Sequence, residues 1–234
     1  DNSTAGNPES KQYAVDAGKR ALEEHYRRMG YEAVVENTGI FIVYRTIMKV
    51  QGNPKVSVII LNKDHREDLE KCVVSIEEKT DYPNYEIIVV ENNSELPETF
   101  AFYEELQRRY SNVKVVTWDG PFNYSAINNY GAEYATGDYY LMLNNDIEVI
   151  SPGWMSEMLG YCQREDVGIV GAKLYYSDDT VQHAGVVVGV GGFAGHVLTR
   201  FRKGETGYFG RLVTIQDTSA VTAACLMIKN PSIS

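Results

Sequence analysis

Between residues 56 and 170, short apolar runs alternate with amphipathic stretches, and this rhythm restricts the possible folds more than any other feature of the chain. Val56–Leu61, Glu86–Val90, Val113–Thr117, Tyr139–Leu143 and Val167–Val170 are too short for helices and read as strands. The intervening stretches carry helical spacing. Leu69, Cys72, Val73 and Ile76 recur at i, i+3, i+4 and i+7, Phe102, Tyr103, Leu106 and Tyr110 mark a second helix, and Ile127, Tyr130, Gly131 and Tyr134 a third. Met155, Met158, Leu159 and Cys162 mark the next. Strand–helix alternation with short links implies an α/β fold, a mostly parallel sheet with helices on both faces.

Three strands end in polar clusters: Asn62-Lys63-Asp64, Glu91-Asn92-Asn93 and Asn144-Asn145-Asp146. If the strands are parallel, all three fall on one edge, the carboxyl edge, where ligands of open α/β sheets bind. Asp146 follows the fully apolar run Tyr139–Leu143 and is the first candidate for chemistry. The competing reading is that Asn144, Asn145 and Asp146 only turn the chain and cap the next helix. One polar strand end is a turn; three point to a pocket.

The flanks follow other patterns. Residues 1–10 are small and polar, Lys11–Met29 has helical composition with Gly30 as a stop, and Tyr31–Glu36 and Ile40–Met48 read as strands around a turn at Asn37-Thr38-Gly39. Residues 1–52 are therefore expected to form a small helix-plus-hairpin appendage, with residues 53–234 as the main domain. Asp64-His65-Arg66-Glu67 has the spacing of a helix cap, and Ser125 is expected to start the helix through Tyr134. After Tyr175 the pattern loosens into apolar runs at Val186–Val190 and Val221–Ile228, separated by a glycine-rich stretch and a polar loop.

Composition removes several classes of function. A net charge of -10 argues against duplex nucleic acid and against electrostatic docking on anionic lipid. Cys72, Cys162 and Cys225 are far apart and odd in number, which reads as three buried thiols rather than a disulfide framework. No apolar run approaches ~20 residues, so no membrane span is expected, and the N-terminus lacks the blocks of a signal peptide. These features suggest a cytoplasmic setting, with a peripheral position at the inner membrane face compatible. The Gly189–Gly195 cluster lacks the strand-to-helix context of a dinucleotide fingerprint.

The ordered segments resemble family 2 glycosyltransferases of the GT-A fold. Val56–Asp64 is similar to that family's opening strand and base-binding loop, and Tyr85–Ser94 to its second strand with an acidic end. Asn129-Tyr130-Gly131 and Ala135–Tyr139 resemble its helix and following strand. Asn144-Asn145-Asp146 falls on its Asp-x-Asp metal motif, followed by Ser151-Pro152-Gly153-Trp154. Gln182-His183-Ala184-Gly185 and Ala220–Cys225 look most like bacterial rhamnosyltransferase-like enzymes of cell-surface polysaccharide synthesis. Three positions depart from the pattern: Asn144 replaces a carboxylate, Lys63 stands where an aromatic is frequent, and Glu91 replaces Asp.

The resemblance implies a nucleotide-sugar donor, a saccharide acceptor and Mn²⁺ or Mg²⁺. Asp146, with the Asn144 carbonyl, would hold the cation against the diphosphate. Glu91 would accept the imide hydrogen of uracil or thymine, with Asn62, Lys63, Asp64, Asn92 and Asn145 around the base. Asn128 and Asn129 would reach ribose or phosphate, and His183 and His196 would lie on the acceptor side. The general base of an inverting transfer falls after a stretch like Val221–Lys229 in that family, hence beyond Ser234, in a longer multidomain protein. Two rivals stand beside this reading. One is a sugar-nucleotide-binding module without transfer activity; the other is a nucleotidyltransferase, disfavoured because the loop after Leu61 has no glycine.

Overall fold

The computed structural model describes residues 12–231. The elements run α1 (Gln12–Arg28), β1 (Ala33–Asn37), β2 (Tyr44–Met48), β3 (Val56–Asn62), α2 (Arg66–Lys79), β4 (Tyr85–Asn92), α3 (Pro97–Arg109) and β5 (Val113–Trp118). They continue as α4 (Tyr124–Glu133), β6 (Tyr139–Asn144), α5 (Trp154–Cys162), β7 (Ile169–Gly171), β8 (Leu174–Tyr175), β9 (Val181–His183), β10 (Val186–Val188), β11 (Ala194–His196) and β12 (Cys225–Lys229). The chain divides into two compact units. One comprises Val50–Ala172 with the chain from Val221 onward; the other joins the chain up to Lys49 with Lys173–Ala220. Residues 12–49 thus group with residues 173–220, whereas the sequence suggested an appendage of residues 1–52 on its own.

The first unit holds a six-stranded sheet in the order β5-β4-β3-β6-β12-β7. Strands β5, β4, β3 and β6 are parallel; β12 runs antiparallel to both β6 and β7. Because β3 is flanked on both sides and covered on both faces, Val56, Val58, Ile59 and Ile60 are completely buried. Such branched side chains suit a pleated, enclosed surface, and burying each stabilises the fold by about 1.5–3 kcal/mol.

On one face α4 packs over Ile59, Ile88, Val90 and Val116 through Ile127. Its approach needs a residue without a side chain: a Cβ on Gly131 would lie 2.7 Å from a Val90 methyl and 2.8 Å from an Ile59 methyl. Leu69, Cys72, Val73 and Ile76 of α2 are all buried, as are Met155, Met158, Leu159 and Cys162 of α5, in agreement with their spacing in the sequence. All three cysteines are free and buried. Burial pushes their thiols up, to about 12 for Cys72 and Cys225 and about 11 for Cys162.

Several local expectations are corrected. Ile40–Ile42 form the hairpin turn rather than strand, because Val43 donates to the Ile40 carbonyl and Ile42 adopts φ +55°. The run Val221–Ile228 becomes strand only from Cys225. Helix α4 starts at Tyr124, capped by Asn123, whose side-chain oxygen accepts the Ala126 N–H at 3.1 Å. Asp64 does not cap α2. At φ +55° its side chain crosses to the loop after β4, a tertiary choice with no local signal.

In the second unit β1 pairs with β2, β8 with β9 and β10 with β11, all antiparallel. Tyr44 anchors the hairpin on α1 by donating to the Val15 carbonyl at 2.8 Å. Among the described residues no helix is long and apolar enough to cross a membrane.

Candidate donor site

The parallel strands finish level with one another. Asn62 pairs with Glu91, Leu61 with Asn144, and Asn92 with Trp118, so the three polar clusters share one edge of the sheet. That convergence was the central expectation, and the register delivers it.

The clusters are tied together by buried polar contacts. Asn62, 2% exposed, donates from Nδ2 to the Tyr103 hydroxyl at 2.8 Å and accepts the Asn145 Nδ2–H at 2.7 Å. Asn145 is thereby drawn into the edge. Tyr103, buried on α3, also contacts the Ser94 hydroxyl at 3.2 Å. Glu91, also 2% exposed, accepts the Ser94 N–H. Asn92 is buried and accepts from Asn93 at 3.1 Å.

Asp64 closes the same corner. Its carboxylate accepts the N–H groups of Leu96 and Glu95 at 3.0 Å and the Thr99 hydroxyl at 3.3 Å. It thus caps α3, whose own N-cap residue, Leu96, has no side chain able to do so. The Leu96 N–H above all, with those of Glu95 and the Thr99 hydroxyl, outweighs partial desolvation and holds the Asp64 carboxyl below the usual range. Lys63 is exposed and pairs with Glu95 at 3.2 Å.

Asn144 and Asp146 are exposed, as are Lys63 and Asn93 on the neighbouring strand ends. The Asn144 backbone is fixed on three sides: its N–H donates to the Ala224 carbonyl at 2.9 Å, and its carbonyl accepts from Ile147 N–H and the Cys72 thiol. Among the described residues no group of three or more His, Cys, Asp or Glu is assembled to hold a metal. One carboxylate and one amide carbonyl form a small oxygen set. It suits a hard cation that takes its remaining ligands from phosphate oxygens and water.

Two expected contributors are not gathered with the strand ends. Asn128 is buried and donates to the Tyr124 carbonyl within its own helix at 2.8 Å. Asn129 lines a groove of about 350 Å³ beside α4, with Tyr140, Met142, Ile228 and Asn230. Both lie more than a turn along α4, and each turn carries the chain about 5.4 Å from the helix start. His183 and His196, in the second unit, face each other with Nδ1 atoms 3.0 Å apart. Burial, then the neighbouring His196, pushes His183 down to about 4, so it is neutral at pH 7.

Tyr103 and Ser94 are the residues that sequence reasoning missed. Tyr103 sat on an apolar helical stripe and read as core. The available signal was its hydroxyl, which needs a partner when buried.

Residues 57–219 match glycosyl transferase family 2, and the chain belongs to that family. It is a glycosyltransferase domain, and its mostly parallel α/β sheet is that expected of the GT-A fold. It is similar to the uncharacterized protein y4gI of Sinorhizobium fredii, 44% identical over 228 residues covering 97% of this chain and 25% of that one. It is also similar to the O-antigen biosynthesis protein RfbC of Myxococcus xanthus, 44% identical over 219 residues covering 92% of this chain and 17% of that one. The chain thus spans a quarter or less of the length of these relatives. The mannosyltransferase PcManGT from Pyrobaculum calidifontis, solved with GDP-Man and Mn²⁺, aligns with a TM-score of 0.49 at 15% identity over 72% of this chain and 46% of that one.

Proposed function

We propose that this domain binds a UDP- or dTDP-sugar with a divalent cation, Mn²⁺ or Mg²⁺, and transfers the sugar with inversion to a growing surface polysaccharide. The observation that carries the reading is the level convergence of Asn62, Glu91 and Asn144 on parallel strand ends, with Asp146 exposed just beyond them. The relative's name, an O-antigen biosynthesis protein, supports the acceptor class.

Each residue's part follows from its position. Asp146 and the Asn144 carbonyl hold the cation, which when bound supplies positive charge against the departing nucleoside diphosphate. One Glu91 oxygen is engaged by Ser94, which leaves the other to accept the imide N–H of the base. Asp64 and Asn62 are committed to the protein and shape the loops around the base. Lys63 stands exposed where it can meet base or phosphate. The segment carrying His183 and His196 is assigned to the acceptor side.

A thermal-shift panel of UDP-, dTDP- and GDP-sugars, with and without Mn²⁺, tests this. The expected result is stabilisation by one nucleotide class that is larger when Mn²⁺ is present, about 2.7 kcal/mol at one hundred times the dissociation constant. No response to any nucleotide would overturn the proposal. Donor binding by the intact parent protein with no transfer to a polysaccharide acceptor would favour a non-catalytic binding module.

A further inference from the structure

The contacts joining the strand ends form one connected chain. Asn145 Nδ2–H donates to Asn62 Oδ1, and Asn62 Nδ2–H donates to the Tyr103 oxygen. The Tyr103 and Ser94 hydroxyls share a hydrogen bond at 3.2 Å in which either can donate, and Ser94 Oγ also accepts the Asp64 N–H at 3.3 Å. Ser94 N–H donates to Glu91. Asn62 is an amide with two chemically distinct ends, and a buried amide takes the orientation its partners dictate. The NH₂ end of Asn62 meets the Tyr103 hydroxyl and its carbonyl end meets Asn145, so the amide bridges the two. Without that hydroxyl the buried Asn62 NH₂ group would lose its partner on α3, and the bridge to Asn145 would lose its anchor.

We propose that Tyr103, acting through Asn62 and Asn145, is a positioning residue that fixes the Asn144–Asp146 turn in the shape that receives the cation. This rests on reading Asp146 as the cation's carboxylate. Asn145 lies between the two oxygen donors, so holding its side chain restrains the backbone on both sides. The turn is closed by Ile147 N–H on the Asn144 carbonyl at 3.4 Å, a long contact that offers little restraint alone. A core aromatic needs no such chain, whereas a fully satisfied buried network rigidifies what it joins.

The experiment titrates Mn²⁺ into the full chain at saturating UDP, and separately measures UDP affinity without metal. Tyr103→Phe keeps the ring and removes the hydroxyl. It is expected to weaken Mn²⁺ about 10–100-fold, as loss of partners behind metal ligands does, with metal-free UDP affinity unchanged. Asn145→Ala breaks the chain at its other end, carries the same expectation for Mn²⁺ affinity, and serves alone if Tyr103→Phe fails to fold. The double variant is expected to be no weaker than Asn145→Ala, because both remove one connection. Asp146→Ala separates the two levels of the argument. If it loses metal dependence while both chain variants keep wild-type Mn²⁺ affinity, or if their effects add, the inference fails and the donor-site reading survives. If Asp146→Ala keeps full metal dependence, the reading itself fails and takes the inference with it.

Discussion

Glu86 and Glu91 lie on the same strand, β4, and meet opposite edges of the sheet. At the amino edge Glu86 is saturated. Lys55 pairs with it at 2.7 Å, Ser57 donates at 2.6 Å, and Thr136 donates through both N–H and hydroxyl at 2.7 and 2.9 Å. Lys55 also donates to Thr136, and its backbone N–H donates to Asp138 at 2.7 Å. At the carboxyl edge no lysine among the described residues pairs with Glu91. It is buried against one backbone N–H, while Asp146 on the same edge is exposed. A sheet edge that only needs closing brings its own cation. An edge left with acids and amides but little positive charge suits a ligand that arrives with a metal.

The contrast is open to direct attack. The largest effect is expected from Asp146→Ala: metal-dependent UDP binding should disappear, while unfolding in urea stays within about 0.5 kcal/mol of wild type, as for an exposed position. A large loss of stability would make Asp146 a structural residue like Glu86. Next, Glu86→Ala should cost about 3 kcal/mol of folding stability, the low end for breaking a buried pair because Lys55 is partly exposed. The folded variant should bind UDP normally; weakened binding would show that the amino edge is not merely structural.

Smaller effects sharpen the comparison. Glu91→Gln keeps the shape and an acceptor oxygen, and should weaken UDP binding by roughly 1–2 kcal/mol, the difference between charged and neutral hydrogen bonds. Equal affinities would reduce Glu91 to a clamp on the Ser94 loop. The smallest effect is a pH dependence. Burial alone would raise the Glu86 carboxyl, but Lys55, Ser57 and Thr136 outweigh it and hold it below its ordinary value of 4.5. Its contribution to stability is therefore complete above about pH 4.5 and fades as pH falls through the lower folded value. Glu86→Gln should flatten the acid limb of a stability–pH curve in that window, and an unchanged limb would mean other carboxylates dominate it.

Much of the sheet was legible because buried parallel strands are nearly continuous apolar runs. Val56–Leu61 and Tyr139–Leu143 each fall one residue short of the observed β3 and β6, both of which end in an asparagine. Asp146 stood out for a related reason, as an acid in the polar cluster that follows such a run, and the structure leaves it exposed. What escaped were choices made by tertiary contacts. Nothing local says that Asp64 caps α3 rather than α2, or that Asn62 spends its whole amide inside the protein. Asn128 was expected to reach ribose or phosphate from near a helix start, but it is buried and its side chain satisfies its own helix. The antiparallel direction of β12 was equally hidden, since an apolar run is the same in either direction.

That strand has a consequence for how such enzymes can diversify. Leu143 pairs with Cys225, and Ala172 N–H donates to the Cys225 carbonyl at 3.2 Å. Lys173–Ala220 is therefore a loop whose two ends are stapled side by side in the sheet. Lengthening a closed loop costs little, about 0.6 kcal/mol for each doubling. Evolution could thus rewrite or lengthen this segment while β6 and β12 stay in register.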